Sequence, residues 1–87
     1  MLDTKQTRRL VKTLAFGQGI SLRNHSWTDA HNTDNSKRNL CYEMNGIKKF
    51  TQGDCNFLQF MTGCKNVQLT TSDRGYNYLR LTGVKFN

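Results

Sequence analysis

The sequence contains no proline, only three cysteines and only six acidic residues among 87. Without proline, its turns must be formed by Gly, Asn, Asp and Ser. No apolar stretch approaches the roughly 18 residues that a membrane-spanning helix requires, and no secretion-signal pattern is visible at the N-terminus. An odd number of cysteines without such a signal favours reduced thiols and a cytoplasmic location over a disulfide framework.

Positive charge is the most pronounced property of the chain. Thirteen Lys and Arg residues against six Asp and Glu give a formal net charge of +7. An excess of this kind favours an anionic partner such as nucleic acid. Hydrophobic residues make up only 36% of the chain. The single domain predicted over residues 1–87 therefore has a thin core, which a partner or a second copy of the chain would help to stabilise.

The clearest predicted element is a helix over residues 3–16. Asp3 and Gln6 have the spacing of a capping box, and Gly17 follows as a C-cap. A short strand is predicted near residues 20–23. It is followed by a polar loop at about 25–38, whose single large apolar residue is Trp27. Long loops in small domains often carry function.

Asn45-Gly46 is the strongest two-residue signal for a β-hairpin, which is predicted over residues 39–51. In that register an opposite-charge pair, Glu43 and Lys48, lies across the two strands and helps to fix their alignment. The remaining cross-strand pairs of this hairpin are Met44–Ile47, Tyr42–Lys49 and Cys41–Phe50.

A second short helix and two more strands complete the predicted domain. The helix spans residues 55–62, with Asp54 as its cap and Gly63 as its end. A turn at 72–75 separates the strands. In the second strand Leu79 and Leu81 share one face, and Gly83 marks a bulge or a bend. The element order α-β-β-β-α-β-β predicts an α+β fold, with two helices packed on a mostly antiparallel sheet of four to five strands.

A stripe of positive charge runs along one edge of the first predicted helix. Its members, at positions i, i+3, i+4 and i+7, span about 10 Å of the helix. Like charges at these spacings repel one another, and a polyanion would relieve the repulsion. The stripe therefore predicts a nucleic-acid-binding surface, and the alternative is an ordinary solvated face. The four residues are Lys5, Arg8, Arg9 and Lys12.

Other aromatic and basic residues extend this candidate surface. Tyr76, Tyr78 and Arg80 share one strand face, where rings about 7 Å apart suit stacking on unpaired bases. The alternative is that the tyrosines pack beneath the first helix. Two basic pairs complete the candidate nucleic-acid-binding set, provided that they share a face with the stripe: Lys37 with Arg38, and Lys48 with Lys49.

Neither a metal site nor a catalytic site is predicted, and no cofactor is expected. The cysteines, His25 and His31 show no metal-ligand spacing such as C-x-x-C. The two histidines, with Arg23 and Asp29, could be arranged as the acid–base groups of a nuclease. Both histidines fall in a loop without a rigid scaffold, however, so we expect a binding protein rather than an enzyme.

With its length, its charge and the basic helix KQTRRLVK at residues 5–12, the chain resembles the TifA-type proteins of T-even-like phages. Those are small, Lys/Arg-rich inhibitors of a host toxin endoribonuclease in a toxin–antitoxin system, and they depend on RNA binding. The resemblance implies a phage-encoded protein of the host cytoplasm that gathers the toxin together with RNA into an inactive assembly.

The expected function is therefore RNA binding that serves to inhibit a host defence factor such as a toxin endoribonuclease. One alternative is an inhibitor that docks directly on an acidic surface of a host enzyme, with nucleic acid irrelevant. Another is a DNA-binding regulator, although no helix-turn-helix pair is readable. Self-association stays open, and no membrane partner is expected.

Overall fold

The computed structural model describes residues 1–25 and 36–86, which form two helices and four strands. In chain order these are α1 (Thr4–Gln18), β1 (Leu22–His25), β2 (Lys37–Met44), α2 (Gln52–Thr62), β3 (Asn66–Thr71) and β4 (Asn77–Lys85). All neighbouring strands are antiparallel, in the sheet order β1-β2-β4-β3. The predicted α+β class, with two helices and an antiparallel sheet, is confirmed.

α1 begins with the predicted capping box. The Asp3 carboxylate accepts a hydrogen bond from the Gln6 N–H at 2.8 Å, and the Gln6 side chain accepts one from the Asp3 N–H at 3.0 Å. The helix continues past Gly17 and ends at Gly19, which has a φ of 71°. There the N–H of Ile20 donates to the Ala15 carbonyl in a Schellman arrangement, so the buried Ile20 fixes the end of the helix.

α2 begins three residues earlier than predicted. Its N-cap is Thr51, and Asp54 is the third helical residue, where its carboxylate accepts the Thr51 N–H at 2.8 Å. Asp54 thus completes a capping box instead of starting the helix. The helix ends at Gly63, as predicted, with a φ of 69°.

Both helices pack on the same face of the sheet. Val11 of α1 and Leu58 of α2 belong to one apolar cluster with Leu79 and Leu81 of β4, and all four side chains are fully buried. Because side chains alternate along a strand, residues 78 and 80 lie on the opposite sheet face. The sheet therefore has a helix-covered inner face and an outer face.

The hairpin predicted at Asn45-Gly46 does not form, and that prediction was wrong. β2 ends at Met44 and pairs with β1 on one side and β4 on the other. Glu43 consequently lies opposite Arg23 rather than Lys48. With both edges of β2 already paired, residues 47–51 have no edge to join.

Of the two features predicted at Gly83, a bulge or a bend, the structure shows the bulge. The register between β2 and β4 shifts between Arg38 and Leu40, so that two residues of β4 face one residue of β2. Gly83 has a φ of 74°, and its N–H donates to the side-chain oxygen of Asn39 at 3.3 Å. A Cβ at position 83 would lie 2.9 Å from the Lys65 Cβ, so glycine is required both for its conformation and for space.

The predicted polar loop at 25–38 falls largely outside the described residues. His25 ends β1, Lys37 begins β2, and residues 26–35, with Trp27, Asp29 and His31, lie outside the described ranges. Within those ranges, neither helix has the length and apolar character needed to cross a membrane.

Candidate nucleic-acid interface

The charged stripe of α1 lies on the solvent side of the helix and borders a groove of about 560 Å³. Thr7, Val11 and Ala15 occupy the adjoining side of α1, where they are buried. This leaves all four cations of the stripe exposed. We call the feature the basic groove, and it is lined by Thr4, Lys5, Arg8, Arg9, Lys12, Thr13 and Phe86.

No carboxylate within residues 1–25 and 36–86 forms an ion pair with the stripe. The ion pair found in these ranges joins Arg23 to Glu43 at 3.2 Å, on the sheet. Asp3, at the start of α1, is engaged as the helix cap by the Gln6 N–H. Four neighbouring cations therefore repel one another with no counter-charge from the described part of the chain, and an anion bound in the groove would relieve that repulsion.

Phe86 connects the basic groove to a second group of cations. The guanidinium carbon of Arg38 lies 4.0 Å from the centroid of the Phe86 ring, within cation–π distance. The same ring also borders a smaller cavity of about 350 Å³. The structure thus brings Lys37 and Arg38 next to the stripe. The smaller cavity is lined by Met1, Ser36, Lys37, Lys85 and Phe86.

Backbone contacts hold the two sides of this surface together. The Thr4 hydroxyl donates to the Lys85 carbonyl at 2.8 Å, and Asp3 forms a β-bridge with Lys85. The N–H of Phe86 donates to the Ser36 carbonyl at 2.9 Å, which ties the chain beyond β4 to the start of β2. The start of α1 and the end of β4 are therefore fixed relative to each other, so the groove exists before any ligand binds.

Arg8 also lies close to a buried tyrosine on the inner sheet face. Tyr42 is only 2% exposed, opposite Leu79 and Asn24 in the sheet, and not opposite Lys49 as the hairpin prediction required. It is therefore a core residue and not part of an exposed aromatic platform. Burial raises the pKa of Tyr42, and the positive charge of Arg8 offsets this only in part.

The tyrosines predicted as a stacking platform lie away from the basic groove. Tyr78 and Arg80 are on the outer sheet face, whereas α1 covers the inner face. There the Tyr78 ring lies 4.9 Å from that of His25, and the Arg80 guanidinium lies 5.8 Å from the Tyr78 ring. Tyr76 is half-exposed in the turn before β4. The alternative that both tyrosines pack under α1 is thus wrong, but the platform does not adjoin the stripe.

The second predicted basic pair lies near the other end of α1. The Lys48 side chain approaches Gly19, which follows the last helical residue, and the Lys49 ammonium donates to the Gly46 carbonyl. The basic groove instead extends from Thr4 to Thr13. Lys48 and Lys49 therefore do not line the groove.

The structure offers no support for metal binding or thiol chemistry in the part of the chain it describes. No group of three or more potential metal ligands occurs among the described residues. Cys41, Cys55 and Cys64 are buried and free. Burial raises the pKa of the Cys41 and Cys55 thiols, which keeps them in the unreactive protonated form at neutral pH.

Two residues of the charged surface were not predicted as site residues from the sequence. Lys85 and Phe86 end the described chain, and nothing in their local pattern distinguishes them from a fraying strand end. The one available signal was a lysine and an aromatic residue placed directly after the predicted bulge. Their role depends on contact with α1, some 80 residues earlier in the sequence.

Comparison with family models, with curated proteins and with solved structures found no match for this chain. The charge and shape of the basic groove are therefore the basis for inferring what the protein binds.

Proposed function

We propose that this chain is an RNA-binding protein without catalytic activity, and that the basic groove binds the sugar–phosphate backbone. The supporting observation is the convergence of the stripe with Lys37, Arg38 and Lys85 around one ring, Phe86. Cations gathered in this way release counterions when they contact phosphates, and this supplies sequence-independent affinity. No internal acid competes for the stripe among the described residues.

The role of such binding is inhibition of a host defence factor in the cytoplasm, with RNA as part of the inhibitory complex. The resemblance to TifA-type proteins supports this part of the proposal, because those proteins depend on RNA to neutralise a toxin endoribonuclease. A protein that presents phosphate-binding groups on a small rigid domain suits a bridging role of this kind.

A titration of the purified chain with fluorescein-labelled RNA, monitored by anisotropy at 50 mM salt, tests the proposal. We expect saturable binding that unlabelled RNA displaces more effectively than duplex DNA of the same length. Absence of binding at 50 mM salt would contradict the proposal, and equal displacement by duplex DNA would favour a DNA-binding regulator instead. A raised ratio of absorbance at 260 and 280 nm after purification at low salt would give independent support.

A second candidate function, direct contact with a protein, is favoured by the outward side of α2. Phe57, Phe60 and Met61 are exposed there at helical spacing, and Phe60 is 84% exposed. α2 contains no Lys or Arg, so this surface differs in chemistry from the basic groove. Nuclease treatment of a complex purified from host cells separates the two candidates: RNA-dependent assembly is lost, whereas direct docking persists.

A further inference from the structure

Phe86 is an aromatic side chain exposed within a cationic surface. It is 41% exposed, and the Arg38 guanidinium lies over its ring. An exposed phenylalanine gains nothing from contact with water. A flat apolar partner stacked on the exposed part of the ring would remove the remaining apolar area from water.

The backbone that carries the Phe86 ring is held by two hydrogen bonds of one peptide unit. The Phe86 N–H is bonded to the Ser36 carbonyl, and the Lys85 carbonyl accepts the Thr4 hydroxyl. The backbone beside the ring is therefore ordered before a partner stacks on it, which lowers the entropic cost of binding.

Cations lie on both sides of the ring. Phe86 borders the basic groove on one side, and on the other it borders the smaller cavity with Lys37 and Lys85. A nucleotide whose base stacks on Phe86 would thus have cations available for the phosphates that precede and follow it. Aromatic rings interleaved with basic groups are the arrangement that binds single-stranded nucleic acid.

We propose that Phe86 is a base-stacking position, and that it makes the basic groove selective for single-stranded over double-stranded RNA. In a duplex the faces of the bases are covered by their neighbours, so a duplex offers phosphates to the groove but no base to Phe86. This proposal rests on the proposed RNA binding and specifies which form of RNA is bound.

The test compares Phe86→Leu with wild type on a single-stranded oligouridine and on an RNA duplex of equal length. We expect the Leu variant to bind the single strand about 5- to 150-fold more weakly, the range for loss of one stacked base, and the duplex with almost unchanged affinity. Phe86→Tyr, which keeps the aromatic face, should retain most of the affinity. Phe60→Leu removes an even more exposed ring from α2, away from the cations, and should change neither affinity.

A second measurement does not depend on how the variants fold. Wild-type protein should bind an abasic oligonucleotide, which keeps the phosphates and lacks the bases, about 5- to 150-fold more weakly than oligouridine. Equal affinity of wild type for the abasic and the base-containing strand would overturn the stacking proposal while leaving RNA binding intact. Failure of wild type to bind either RNA form would instead overturn the proposed function itself.

Discussion

Replacing Lys5 and Arg9 with Gln should weaken RNA binding while leaving the protein as stable as wild type or slightly more stable. Both side chains are exposed and line the basic groove. They stand four residues apart on α1, where like charges destabilise a helix by about 0.2–0.5 kcal/mol. Affinity and stability should therefore change in opposite directions, which an unfolding artefact would not produce.

The size of the effect follows from the number of cations on the surface. For single strands the slope of log K against log salt is about −0.7 per phosphate contact, so the four cations of the stripe predict about −2.8. Adding Lys37, Arg38 and Lys85 predicts about −4.9. Between 50 and 200 mM salt, affinity should then fall by about 50-fold to 900-fold. Loss of two contacts makes the slope shallower by about 1.4. The fall in affinity over the same salt range should then be about sevenfold smaller.

Anisotropy titrations at 50, 100 and 200 mM salt, with urea unfolding of the same samples, measure both quantities. The matched control is Lys65→Gln with Arg74→Gln, which removes the same charge from exposed positions outside the groove. The control should keep the wild-type slope. If the two double variants show the same slope, net charge and not the groove governs binding, and the reasoning is refuted.

Further predictions concern the fold. Gly83→Ala should lower the free energy of unfolding by about 1–3 kcal/mol, because φ is 74° and the new Cβ would meet Lys65. Gly17→Ala, at a helical position with open space around it, should raise the free energy of unfolding by about 0.5–1 kcal/mol. Equal effects of the two variants in urea unfolding would contradict this reasoning. Thr51→Ala removes the cap of α2 and should cost about 1 kcal/mol in the same assay, so an unchanged midpoint would show that the cap is dispensable. Burial raises the pKa of Tyr42, so the unfolded chain loses this proton first and stability should fall above about pH 10. The fall should be smaller in Tyr42→Phe, and equal pH profiles would argue against a buried neutral hydroxyl.

The sequence was sufficient for those parts of the fold that short-range chemistry determines. The capping box of Asp3 and Gln6 and the end of α2 at Gly63 each depend on a few neighbouring residues. The shared face of Leu79 and Leu81 follows equally from simple alternation along a strand, although alternation does not determine which face the helices cover. Such features need no knowledge of the distant chain.

The hairpin that does not form shows which features short-range chemistry cannot predict. Asn45-Gly46 favours a tight turn locally, but residues 40–44 of β2 are buried between two other strands. Pairing with β1 places Glu43 opposite Arg23. The ion pair between these two residues takes the place of the expected pair between Glu43 and Lys48. Because both partners of β2 are distant in sequence, their advantage over the local turn could not be read from the residues around it.

The candidate site was half predictable for the same reason. Helical spacing alone places Lys5, Arg8, Arg9 and Lys12 on one exposed edge, and the structure shows that edge. The second side of the surface depends on the β-bridge between Asp3 and Lys85, which joins opposite ends of the chain. A contact of that sequence separation leaves no periodic pattern.

The bridge between Asp3 and Lys85 has a practical consequence for handling the protein. Phe86 borders the basic groove, and Met1 lines the adjoining cavity, so a purification tag on either end would crowd this surface, and an acidic tag would compete with any anion bound there. A circular permutant, with the two ends joined by a flexible linker and new ends opened between Asp73 and Arg74, would move any tag to the turn between β3 and β4, at the far end of the sheet.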